Sequence, residues 1–98
     1  MDVRYDPSFL IEFDSQVTFF QEIDKLNQSS LAIGLAQDIQ NSINRISLSP
    51  SIFQKQYKEV RVCSLDKFPN HSIHYQVDEQ NQILYILQLR HQKQRPLD

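Results

Sequence analysis

The side chains with the widest chemical scope stand late in the chain, where His91 lies between Arg90 and Lys93 and Arg95 follows. Arg61 joins them from an earlier segment of β type. An imidazole with an ordinary pKa of about 6.5 can take or give a proton near neutrality. Guanidinium and ammonium groups stabilise a phosphate whose charge grows in a transition state. His91 as acid or base, with Arg61, Arg90 and Lys93 on the phosphate, therefore forms a set with which RNA can be cleaved by acid–base chemistry. Tyr75 or Tyr85 would stack a base or supply a proton. Each residue also has a purely structural use. Arg61 can pair with a carboxylate of the acidic first half, His91 can cap a strand end, the two tyrosines can fill a core or a groove, and Lys93 with Arg95 can be a solvated basic tail. His71 and His74 stand three positions apart, which on a strand directs them to opposite faces, so the pair offers no chelate and no metal is expected.

Composition narrows the options. Ninety-eight residues make one domain, spanning 1–98, and 40% hydrophobic with 22% charged content describes an ordinary globular protein. A single glycine leaves no room for a glycine-rich phosphate loop or a dinucleotide fingerprint, and no cofactor is expected. Cys63 stands alone, which excludes an intrachain disulfide or a thiolate cluster and suits a buried, inert thiol. The start MDVRYDP has neither a basic n-region nor an apolar h-region, and no apolar run approaches the ~20 residues of a membrane span. A cytoplasmic location without membrane contact is the expectation. Net charge is −2, but residues 1–49 hold three basic and seven acidic side chains (−4), while residues 50–98 hold seven basic and five acidic (+2). RNA-binding domains of this size usually carry a clear positive excess, because phosphate neutralisation supplies much of their affinity.

The elements that must position these groups follow from periodicity. Val3 to Tyr5 is a short extended lead-in closed by Asp6-Pro7, a helix start. Phe9, Phe13, Val17 and Phe20 recur at spacings of four, four and three, with Leu10, Ile23 and Leu26 widening the stripe. Asn27 to Ser30 breaks that helix. A second follows on Leu31, Leu35, Ile39, Ile43 and Ile46, with Ala32 and Ala36 in support and Gly34 as a close approach to the first helix. It ends before Pro50. The stretch from Ser51 to Glu59 reads as irregular, anchored by Ile52, Phe53 and Tyr57. Strands are then expected over Val60–Leu65, Ser72–Val77 and Ile83–Leu89, the last apolar on both faces in the manner of an inner strand covered on each side. The predicted class is α+β, ordered β-α-α-β-β-β, with a mostly antiparallel sheet and the helical hairpin packed on one face.

This order, with Pro50 closing the second helix, Arg61 on the next strand, Phe68-Pro69, Ile73, Tyr75, Val77, the run Ile83 to Leu87, His91 and Arg95-Pro96, resembles the RelE/ParE superfamily of toxins from bacterial type II toxin–antitoxin modules. The element order covers the whole chain and the specific residues cluster in 50–96, where Arg95 directly preceding Pro96 makes a slightly compressed ending. The resemblance implies a growth-inhibiting toxin of plasmid-stabilisation type, neutralised by a cognate antitoxin in a hetero-oligomer. One branch of the superfamily cleaves mRNA at the ribosome and another inhibits DNA gyrase without a hydrolytic site. The nuclease branch carries an arginine where this chain has Ser72, and a lysine-rich second strand where it has Lys58, Glu59 and Arg61. The ending Leu89-Arg90-His91-Gln92-Lys93 is similar to gyrase-inhibiting members. The expectation is accordingly a ParE-like gyrase inhibitor, with partner contacts at Lys58, Arg61, Lys93 and Arg95. The alternatives are a RelE-like mRNA interferase with His91, Arg61 and Arg90 as catalytic residues, or a non-toxic interaction domain of the same fold.

Overall fold

A computed structural model describes residues 1–23 and 30–92. Its elements are β1 (Asp2–Tyr5), α1 (Pro7–Ile23), α2 (Ser30–Leu48), β2 (Lys55–Tyr57), β3 (Val60–Ser64), β4 (His71–Asp78) and β5 (Ile83–His91). The five strands form one sheet in the order β1-β5-β4-β3-β2. β1 runs parallel to β5, and the other pairs are antiparallel. The α+β class and the helical hairpin followed by strands match the expected order, with one addition. The stretch read as irregular contains β2, which pairs back onto β3 around a turn where Lys58 has φ of 48°. That turn uses neither Gly nor Asn, the residues that usually announce a left-handed conformation, so it left no mark in the sequence.

Helix α1 begins as its residues dictate. Pro7 occupies the first helical position, and the Asp6 carboxylate accepts from the Ser8 amide at 2.9 Å. The Ser8 hydroxyl lies 2.7 Å from that carboxylate and 2.9 Å from the Leu87 carbonyl, which ties the helix start to β5. Phe9 is fully buried, and Phe13, Val17 and Phe20 pack against the core as expected. Leu10 and Ile23 do not widen that stripe; they are 51% and 58% exposed, because α1 lays a single row of side chains on the core. Leu26 lies outside the described residues.

Helix α2 buries Ala32, Leu35, Ile39, Ile43 and Ile46, whereas Leu31 is exposed in its first turn. Its interior face also carries Asp38, 4% exposed, whose Oδ2 accepts the Lys67 and Phe68 amides at 2.8 and 3.1 Å. A buried carboxylate thus closes the turn between β3 and β4. Among the described residues Gly34 is not a close approach to α1: a methyl there would meet only the Phe68 ring, at 3.6 and 3.7 Å. Cys63 is buried and burial pushes its thiol up, as an inert core cysteine requires.

The apolar run of β5 owes part of its pattern to a feature that its composition does not reveal. β5 is an inner strand, but helices cover only one of its faces among the described residues. Ile86 faces Tyr75 and Gln88 faces His74, leaving Leu87 as an extra residue in a β-bulge. The bulge resets the alternation, so Leu84, Ile86 and Leu89 all enter the core while Tyr85, Gln88 and Arg90 face outward with Gln76, His74 and Ser72. Among the described residues no helix is long and apolar enough to cross a membrane.

Two substitutions test this packing. Asp38→Ala strands two turn amides and is expected to destabilise the protein by about 1–3 kcal/mol in urea unfolding. Gly34→Ala meets only ordinary contacts and improves helix propensity, so it is expected to stabilise by up to ~1 kcal/mol in the same measurement.

Candidate functional site

The outward face of the sheet holds the densest polar grouping. β2 and β3 curl so that Tyr57 reaches over β4, its hydroxyl 3.0 Å from His74 Nδ1 and its ring centroid 5.7 Å from the imidazole. On the other side, His74 Nε2 is 3.2 Å from the Ser72 hydroxyl. A neutral imidazole satisfies both contacts by accepting the Tyr57 proton at Nδ1 and donating Nε2–H to Ser72. Arg90, the cross-strand neighbour of Ser72, supplies the positive charge of this group. Burial, reinforced by Arg90, pushes His74 down to about 4. Burial raises the Tyr57 phenol, with Arg90 opposing it.

Beside this group an open cleft of about 360 Å³ is lined by Asp6, Ser8, Tyr57, Lys58, Val60, Leu87 and Gln88. Gln88 Oε1 is buried without a hydrogen-bond partner among the described residues. Asp6 is held below the usual carboxylate range by its hydrogen bonds from Ser8.

The residues singled out from sequence are dispersed by this arrangement. Arg90 lies on the outward face, but His91, the next residue, faces His71 on the helix side, their rings edge to face at 4.8 Å. Arg61 pairs across strands with the core residue Tyr75, and its Nη1 donates to the Phe53 carbonyl at 2.6 Å. Arg61 also adds to the lowering of the Glu59 carboxyl, which is due first to its hydrogen bond from Lys55. Tyr75 is wholly buried, donates to the Pro50 carbonyl at 2.8 Å, and is pushed up to about 12 by burial. Lys58 is exposed at the cleft's lip. Lys93 and Arg95, together with Pro96, lie outside the described residues.

Tyr57, Ser72 and His74 form the group that sequence reasoning missed. Alternation along β4 already placed Ser72 and His74 on one face. Tyr57 depended on a hairpin whose turn has no sequence signal, so its meeting with His74 was invisible.

Residues 15–96 match the family described as the ParE toxin of the type II toxin–antitoxin system parDE. The chain belongs to the ParE toxin family. The fold agrees with that membership. The chromosomal ParDE toxin–antitoxin system of P. aeruginosa superposes with a TM-score of 0.76 at 14% identity, covering 93% of this chain and 95% of that one. The intact E. coli RelBE toxin–antitoxin complex gives 0.66 at 12% identity over 96% and 98% of the two chains. The isolated E. coli RelE toxin gives 0.65 at 12% identity over 97% and 86%. No curated protein sequence matches. This ParE-family chain is thus a toxin of the RelE/ParE superfamily.

The depressed His74 carries a stability consequence with a definite sign. A histidine whose folded pKa lies below its unfolded value of about 6.5 takes up a proton on unfolding, so stability falls as pH drops from about 6.5 towards 4. His71 is lowered in the same direction, by burial and then by His91, and its contribution has the same sign. Thermal unfolding of His74→Gln is expected to show a shallower loss of Tm between pH 6.5 and 4 than the parent, and an unchanged slope would contradict the assignment.

Proposed function

We propose that this ParE-family toxin acts by binding and inhibiting DNA gyrase in the cytoplasm, with no hydrolytic step, and that a cognate antitoxin neutralises it in a hetero-oligomer. The observation that carries this reading is the dispersal of the nuclease candidates. Acid–base cleavage needs the base, the acid and the cation within hydrogen-bond reach of one phosphate. Arg90 faces outward, whereas His91 and Arg61 lie on the helix side. The histidine that does stand beside Arg90 has both ring nitrogens engaged and a pKa near 4, well below the range useful for proton transfer at neutral pH. The ParE family match supports the same branch.

The outward face is the target-binding surface in this reading. Arg90, Tyr57 and the exposed Lys58 at the cleft offer an aromatic and two cations, residue types on which interfaces concentrate their energy. The antitoxin contact draws on Lys58 and Arg61 and on the basic residues Lys93 and Arg95. A second reading, ribosome-dependent mRNA cleavage, is favoured by the proximity of Arg90, Tyr57 and His74 on one face.

Purified toxin is expected to block supercoiling of relaxed plasmid by gyrase, and the block should be relieved by the product of an adjacent antitoxin reading frame. Arg90→Ala should weaken inhibition about tenfold or more, the loss typical of a central interface arginine. Normal supercoiling at excess toxin, with new mRNA ends mapped on translating ribosomes, would transfer the assignment to the nuclease reading. Absence of growth arrest on expression would leave the non-toxic interaction domain.

A further inference from the structure

On the helix side of the sheet, His71 is 3% exposed and has one ring nitrogen, Nδ1, without a hydrogen-bond partner among the described residues. Its Nε2 lies 3.0 Å from Gln16 Oε1 on α1, so the side-chain carbonyl holds the Nε2–H and leaves the Nδ1 lone pair bare. Phe20 and Phe68 pack edge-on against the ring at 5.9 and 6.4 Å, locking its plane. Unpaired buried acceptors are uncommon and call for an account. A neutral imidazole with one N–H held by a carbonyl and the other nitrogen bare is the state in which histidine binds a metal ion.

A second imidazole stands beside it. His71 and His91 are direct cross-strand partners, and the Gln92 amide bonds the Asn70 carbonyl at 2.7 Å just outside them. That places the histidines at a non-hydrogen-bonded position, where paired side chains approach most closely. Their centroids are 4.8 Å apart. Two imidazoles sharing one ion at metal–nitrogen distances of about 2.0–2.1 Å have centroids roughly 5 Å apart.

We propose that His71 Nδ1 and His91 form a two-histidine site for a divalent transition metal such as Zn²⁺, Ni²⁺ or Cu²⁺ at the end of the β4–β5 pair. Imidazole ligands favour these ions over Mg²⁺ or Ca²⁺. No group of three or more His, Cys, Asp or Glu residues suited to a metal occurs among the described residues, so water completes the coordination. The ion enters from the half-buried His91 side and cross-links β4 to β5, while Gln16 connects it to α1. A bound ion of this kind stabilises the folded state by mass action.

The test uses tag-free full-length protein at pH 7.5, with NiCl₂ or ZnCl₂ added and Tm read by circular dichroism. Saturating metal is expected to raise Tm by several degrees, and EDTA should reverse the rise. His91→Gln, at the strand end, should fold and lose the shift, while His74→Gln should keep it. Cobalt substitution adds a readout independent of stability: d–d bands present in the parent and absent in His91→Gln. No rise at millimolar metal, or an equal rise in His91→Gln, would overturn the proposal.

Discussion

At Leu87 the last strand carries one residue more than its partner, and the rest of the molecule is arranged around that bulge. Side chains on a strand alternate, so one inserted residue exchanges the two faces for everything beyond it. Without it, Gln88 and Arg90 would follow Leu84 and Ile86 into the core, and Leu89 and His91 would turn outward. With it, Leu89 completes the buried row and Arg90 reaches the open face. The carbonyl of Leu87 is taken up by Ser8, so the irregularity in the sheet also fixes where α1 begins.

The consequences for function run through the same point. Arg90 and His91 are adjacent in sequence and share a cationic run, yet they serve opposite faces of the sheet. Arg90 charges the outward group of Tyr57, His74 and Ser72, while His91 lies against His71 beneath α1. A cluster that reads in sequence as one rim is divided between two faces, separated by the thickness of a sheet. The outward one is built from groups that hydrogen-bond and carry charge but do not exchange protons near neutrality, a character suited to binding.

Much of the fold was legible because its periods are strong. The row from Phe9 to Phe20, the row from Leu35 to Ile46 and the alternation of Ile73 and Tyr75 each have one physical solution, an amphipathic element with that face inward. What was illegible depended on features without a residue code. β2 was hidden because Lys58 adopts a left-handed conformation normally signalled by Gly or Asn. The role of Gly34 was misplaced because helical spacing gives a face but not the neighbour on it, which is Phe68. The apolar doubling of β5 was attributed to burial on both faces, when a bulge accounts for the part of it at Leu87 and Leu89.

Residue order by itself determined the α+β class, the helical hairpin, the separation of His71 from His74 and the ParE-like character of the chain, because these depend on local period and on motif order. Tertiary structure decided which functional groups meet. Arg61 was drawn to the Phe53 carbonyl, Tyr57 was brought over His74 by a curled hairpin, and His71 acquired His91 as its partner through strand register. Register depends on turns, bulges and a shared core, contributions from residues far apart in the chain, so no single stretch of sequence displays it.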